Sequence, residues 1–246
     1  QLFFHYPKKG GYQSMIDAVK EKIEQKGVET YENSGVLSVV KKGAVWIVTT
    51  PTREFRFDRI VNCMPVHELM KTLTNVPEDV IRSVERLLYN SIYIVIVNVR
   101  KEHVGKHFAF NIPQKDVIFH RMSKLDFMGR HYHKSGSSTF MLEITFRKND
   151  RYDHMSEKQI LERSIADMVR VGFIDSKKDV NFTDIRKEKY AYVMYTLNHR
   201  RDTDAVLSFL RTRGIESCGR FAEFEYMNSD KVIEHTMFLA EKLNKV

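Results

Sequence analysis

The apolar positions change period several times along the chain, and each change marks an element. After Gly10-Gly11, the residues Tyr12, Met15, Ile16, Val19 and Ile23 recur at helical spacing, which predicts a helix over 12–26 closed by Gly27. Two strands are predicted next, Val36–Lys41 and Ala44–Thr50, with Gly43 supplying the positive φ of the hairpin turn between them. Phe55–Cys63 predicts a third strand that stops before Pro65. Two short helices follow, one carrying Val66, Leu69, Met70 and Leu73, the other opened by Pro77 with Val80, Ile81, Val84 and Leu87 inward. Leu2-Phe3-Phe4 at the start of the chain is also strand-like.

Beyond this point the texture differs. Ile92–Val99 is almost wholly apolar and β-branched, as expected of a strand covered on both faces. His107–Ile112, Val117–Met122 and Ser138–Phe146 predict three further strands. Ser156-Glu157-Lys158-Gln159 is a capping box, and the helix behind it turns Ile160, Leu161, Ile165, Met168 and Val169 inward as far as Gly172. Lys189–Leu197 predicts a strand with three tyrosines, Tyr190, Tyr192 and Tyr195. Asp202 or Thr203 is expected to cap a helix stopped by Gly214, and Ile215–Phe221 to form a short strand. Asn228–Asp230 caps a terminal helix whose apolar face carries Val232, Ile233, Met237, Ala240 and Leu243. The pattern is that of an α/β (α+β) fold with a mixed sheet, and no repeat of solenoid period is present.

Composition narrows the class. The 246 residues, 42% of them apolar, suffice for one large domain or two small ones. The net charge of +8 comes from cations that alternate with acids, as in Lys20-Glu21-Lys22, so solvated faces rather than a nucleic-acid surface are expected. No apolar run approaches the roughly 20 residues of a membrane-spanning helix. Cys63 and Cys218 stand without CxxC spacing, which excludes a disulfide scaffold. A soluble cytoplasmic protein is the expectation. The chain begins at Gln1 without an initiator Met, as it would if a tag or propeptide had been removed or if it were the C-terminal part of a longer polypeptide.

The most informative chemistry lies between Cys218 and Asp230. A strand ends in Gly219-Arg220, a loop follows, and a helix starts at the Asn/Asp cap. Helix N-termini concentrate unpaired amides and partial positive charge, and a guanidinium just upstream can fork onto phosphate oxygens. An ordinary capped helix with an arginine nearby is the alternative. Elsewhere the signals are weaker. His131-Tyr132-His133 lacks completing ligands, so an exposed loop and no metal are expected. Arg200-Arg201 ahead of a helix hints at phosphate, and Trp46 is expected to pack in a core.

Three segments carry a resemblance. Gly219-Arg220-Phe221 with Tyr226-Met227-Asn228-Ser229-Asp230 and Ile233 resembles the closing FAD motif of the flavin amine oxidase superfamily, nearest the UDP-galactopyranose mutase and protoporphyrinogen-oxidase-like branch. Tyr6-Pro7-Lys8-Lys9-Gly10-Gly11-Tyr12 and Asp58-Arg59-Ile60-Val61-Asn62-Cys63-Met64-Pro65 resemble two further elements of those proteins, in the same order. The resemblance implies that 1–64 and 215–246 are parts of an FAD-binding domain and 65–214 a substrate-binding domain. It implies cofactor contacts at Val36, Gly219, Arg220, Asn228, Ser229 and Asp230. Arg121, Tyr195 and Tyr226 are the substrate-binding candidates, and no catalytic residue is singled out.

The sequence contains no Gly-x-Gly-x-x-Gly turn to hold a pyrophosphate. The expectation is therefore the C-terminal portion of an FAD-dependent oxidoreductase acting on a small molecule such as an amine. FAD would be bound in the full-length protein and absent from this chain, which alone would be inactive. The alternatives are a mutase-like isomerase of a nucleotide sugar and a non-enzymatic binding module that has lost FAD.

Overall fold

The computed structural model describes residues 5–100 and 107–245; Leu2-Phe3-Phe4 lies outside them. The first half of the chain contains α1 (Gln13–Glu24), β1 (Ser38–Lys42), β2 (Val45–Thr49), β3 (Glu54–Phe57), β4 (Ile60–Asn62), α2 (Val66–Thr72) and α3 (Glu78–Arg86). Next come β5 (Tyr89–Val99), β6 (Ala109–Asn111), β7 (Arg121–Lys124), β8 (Ser138–Phe146) and α4 (Glu157–Arg170). The chain closes with β9 (Val180–Val193), α5 (His199–Arg213), β10 (Ile215–Ser217) and α6 (Ser229–Asn244). Antiparallel and parallel pairs both occur, so the fold is α/β with mixed sheets.

The chain divides into two compact units. The first comprises the described residues of Gln1–Thr30 and Ser91–Lys189, the second those of Tyr31–Asn90 and Tyr190–Val246. These boundaries differ from the expected 64/65 and 214/215. Residues 65–90 and 190–214 fall with β1–β4 and α6 because Val66, Leu69, Val84, Val206 and Leu210 share one core with Val39, Trp46 and Ile215.

The first unit is a sheet in the order β6-β7-β8-β5-β9. Its core joins Val95, Val97, Leu142 and Ile144 to Ile160 and Met168 of α4. The capping box forms as predicted: Gln159 N–H donates to Ser156 Oγ at 3.3 Å and Ser156 N–H to Gln159 Oε1 at 2.8 Å. Val117–Phe119 is buried but is not strand. Ile118 N–H donates instead to the buried Asp167 Oδ2 at 2.8 Å and Val117 N–H to Gln114 O at 3.2 Å, and the strand begins only at Arg121. The predicted 189–197 strand proves to be the end of β9, whose earlier half is mostly exposed and showed no apolar run.

In the second unit, β1-β2-β3 form an antiparallel meander and β4 pairs in parallel with β10. The predicted strand 55–63 is thus two strands in separate sheets. Ile81 is exposed rather than inward. Helix α5 starts at His199, ahead of the predicted cap at Asp202 or Thr203, because Asp202 is turned inward to the Arg86 guanidinium. Arg86 Nε and Nη2 reach its two oxygens at 3.0 and 2.7 Å, tying α3 to α5.

Arg86, above all through these hydrogen bonds, holds the Asp202 carboxyl below the usual carboxylate range. Its contribution to stability is then fully present above the unfolded-state value of about 3.9 and lost as pH falls through the depressed folded value. Urea unfolding against pH should accordingly show Asp202→Asn less stable than wild type at neutral pH, with the gap closing below about pH 4; a gap independent of pH would contradict this assignment.

Candidate functional site

The loop between β10 and α6 is clamped to the end of β4. Cys218 N–H donates to Asn62 O and Val66 N–H to Phe221 O, each at 2.9 Å. Within it, Glu223 N–H returns to Gly219 O and Glu225 N–H to Arg220 O, both at 2.9 Å. Gly219 sits at φ 114°, a backbone region that favours glycine. Phe224 also takes a positive φ, 53°, and its buried ring packs beside His67 and His199 while His199 Nε2–H donates to its carbonyl at 2.9 Å. Burial of the ring offsets the roughly 1 kcal/mol that such a conformation costs a non-glycine residue.

This frame sets Arg220 against aromatic rings. Its guanidinium carbon lies 4.2 Å from the centroid of Tyr226 and 5.5 Å from that of Tyr192, and the two tyrosines are near-parallel, 6.2 Å apart. Arg220 Nε and Nη2 are buried and have no hydrogen-bond partner among the described residues. Rings can offset part of the loss of water around a cation, but not the two unmade hydrogen bonds. The carboxylates nearest in sequence are engaged elsewhere. Glu223 accepts from Gly219 N–H at 2.9 Å and faces His235 at 3.2 Å. Glu225 accepts from Arg200 at 2.6 Å and from the Tyr195 hydroxyl at 2.9 Å. An open groove of about 450 Å³, lined by Arg200, Glu223, Glu225, Tyr226 and His235, shares Tyr226 with the Arg220 setting. Arg200 there faces Glu225 and His235 faces Glu223, while two nitrogens of Arg220 stay without a partner among the described residues.

The predicted residues fare differently. Gly219, Arg220, Tyr195 and Tyr226 come together in and beside this loop. Tyr195 bridges it: its hydroxyl accepts from Tyr226 N–H at 2.8 Å, and burial first, with the Glu225 carboxylate, raises that phenol above its ordinary value against the lowering pull of the Tyr226 amide. Asn228, Ser229 and Asp230 are exposed at the start of α6, and the Asn228 side chain makes no capping hydrogen bond. Val36 lies two residues ahead of β1, half-buried against the core of the second unit.

Arg121 belongs to the first unit, where its Nε donates to the buried Glu143 of β8 at 2.7 Å. Arg200 and Arg201 lie inside the first turn of α5 and face Glu225, Asp204 and Asp202, so the hint of phosphate there is not supported. His131 and Tyr132 form a short turn; the Tyr132 hydroxyl accepts from Gly11 N–H at 2.9 Å and donates to Pro7 O at 3.0 Å, binding the Tyr6–Tyr12 motif. Trp46 is in the core, as expected. Tyr192, Glu223 and Glu225 were not singled out from sequence. The Tyr-x-Tyr spacing of Tyr190 and Tyr192 on one strand face was the available signal for the first; nothing local marked the other two.

No family model and no curated protein matches the chain. Solved structures do. The fold is shared with a reduced UDP-galactopyranose mutase (TM-score 0.78, 15% identity, 90% of this chain and 47% of that one). It is shared also with a candidate protoporphyrinogen oxidase from Exiguobacterium sp. 255-15 (TM-score 0.72, 14% identity, 85% and 46%). A third match is a fatty acid isomerase producing CLA from P. acnes (TM-score 0.67, 12% identity, 94% and 52%). The chain therefore spans about half the length of the structures it is similar to. The first two stand in the branch that the sequence motifs resemble, so that resemblance extends to the fold. Among the described residues no helix is long and apolar enough to cross a membrane, and no three His, Cys, Asp or Glu side chains group as a metal site.

An unpartnered buried cation disfavours the folded state, so removing it should not harm stability. Arg220→Met is expected to leave the urea midpoint unchanged or raised; a loss above about 1 kcal/mol would mean that the guanidinium holds the loop together.

Proposed function

We propose that this chain is the C-terminal portion of an FAD-dependent oxidoreductase of the flavin amine oxidase superfamily, contributing a substrate domain and the closing flavin-binding helix. The observation that carries the reading is the pair of buried, unsatisfied nitrogens of Arg220, next to a loop that ends at the start of α6, where the Asn228 side chain makes no capping hydrogen bond. That donor set suits an anionic, oxygen-rich group such as a dinucleotide pyrophosphate. Bound flavin would supply electron or hydride transfer to or from a small molecule. The residues here would orient it: Gly219 lets the backbone approach, Arg220 supplies charge, and Asn228, Ser229 and Asp230 present the helix start. Val36 would contribute backbone contact from ahead of β1. Tyr226, over the guanidinium, and Tyr195, which fixes the Tyr226 amide, would shape the edge of the substrate space, while Arg121 would serve substrate only within the first unit.

A second reading, an isomerase of a nucleotide sugar, draws on Tyr192 and Tyr226 flanking Arg220, since phenols and a guanidinium together suit a sugar diphosphate. Thermal shifts with UDP-galactose and with simple amines separate the two on the complete gene product. A shift with the sugar nucleotide alone would remove the oxidase reading.

The common premise is tested by flavin content. The complete gene product should purify with FAD, and Arg220→Met should weaken FAD on the order of tenfold to a hundredfold, the worth of a charge-assisted contact. Equal FAD affinity in variant and wild type would sink the assignment of Arg220.

A further inference from the structure

The parallel pair of β4 and β10 runs in the register Ile60↔Ile215, Val61↔Glu216, Asn62↔Ser217. One residue beyond the last pair, on each chain segment, stand Cys63 and Cys218, the only two cysteines of the chain. The ladder ends at Asn62↔Ser217, but the strands are still joined there, because Cys218 N–H donates to Asn62 O at 2.9 Å, so the two cysteines directly follow a hydrogen-bonded pair. Neighbouring strands lie about 4.7–4.9 Å apart, inside the roughly 4.4–6.8 Å between Cα atoms that a disulfide spans. Cys63 is exposed and Cys218 buried, with the Cys218 sulfur 3.2 Å from Thr236 Oγ1 of α6. Burial pushes the Cys63 thiol up, and the charge of Cys218 and then of Glu223 push it further.

We propose that Cys63 and Cys218 form a reversible disulfide across β4 and β10, a redox modification site at the root of the Arg220 loop. The oxidant is a low-molecular-weight disulfide. The exposed Cys63 thiolate attacks one of its sulfurs, giving a mixed disulfide and releasing one thiol. Cys218 then attacks Cys63 Sγ, forming the internal bond and releasing the second thiol. The two protons lost by the cysteines end on the two released thiols, and the cysteine sulfurs are oxidised as the reagent is reduced. Because the Cys63 thiol is raised, the first step accelerates with rising pH. The pairing does not depend on the chain binding flavin.

The test incubates the full chain with excess oxidised glutathione at pH 8 to 9, followed by acid quench, alkylation and peptide mapping by mass spectrometry. Wild type should yield a Cys63–Cys218 linked peptide with loss of both free thiols, restored by dithiothreitol. Cys218→Ser and Cys218→Ala should stop at a glutathione adduct on Cys63, and Cys63→Ser should stay unmodified at Cys218. Chain unfolded in urea should give mainly adducts on both cysteines, which separates native proximity from chance pairing. A stable glutathione adduct on Cys63 in native wild type, with no linked peptide, would overturn the proposal. So would both thiols remaining free after treatment.

Discussion

A cation held without a counter-charge is the constraint around which the second unit is arranged. Arg220 is fixed not by partners of its own guanidinium but by its backbone and by rings: its carbonyl accepts from Glu225 N–H, and Tyr226 covers its face. The loop that carries it hangs from β4 through Cys218 and Val66. Nothing in that arrangement satisfies Nε and Nη2. Desolvating a charge and leaving its donors unmade opposes folding, so the rest of the loop's packing must outweigh that cost.

The surrounding carboxylates make the same point from the other side. Glu223 and Glu225 flank the arginine in sequence, yet one binds Gly219 N–H and His235 and the other Arg200 and Tyr195. Had either turned to Arg220, the charge would be neutralised in place. Their diversion rests on specific neighbours. Gly219 at positive φ aims its amide at Glu223, and Arg200, in the first turn of α5, draws off Glu225. Electrostatics thus sorts the local acids and bases into closed pairs and leaves one cation over.

Much of this was legible in the sequence wherever local chemistry decided the outcome. The Ser156–Gln159 capping box, Gly214 at the end of α5 and the Asn228 start of α6 are short-range signals that the structure keeps. Where tertiary partners decide, the sequence was silent or misleading. Val117–Phe119 has the apolar run of a strand, but Asp167 on a distant helix captures its backbone. Phe55–Cys63 alternates smoothly, yet its two halves join different sheets because β10 supplies a parallel partner only to the second. In the site, Gly219, Arg220 and Tyr226 could be read from one motif. Tyr192 arrives from β9 and Arg200 from α5, and no linear spacing encodes that convergence.

The amphipathic helices α1 and α6 carry the argument a step further. Both have the apolar periodicity that normally reports a packed face, and neither buries a residue: Met15, Ile16 and Val19 on α1 and Ile233, Met237 and Phe238 on α6 are exposed. Helices of 12 and 16 residues gain most of their stability in water from packing rather than from propensity. Their apolar stripes are therefore surfaces shaped for cover. On α6 the stripe rises from the Asn228 turn, so a single covering element there would meet apolar side chains along the helix and the positive end of its dipole at the start. Apolar contact would fix where such an element lies, and that positive end with Arg220 would select what charge it brings, which is how one short loop and one helix can combine affinity with chemical choice.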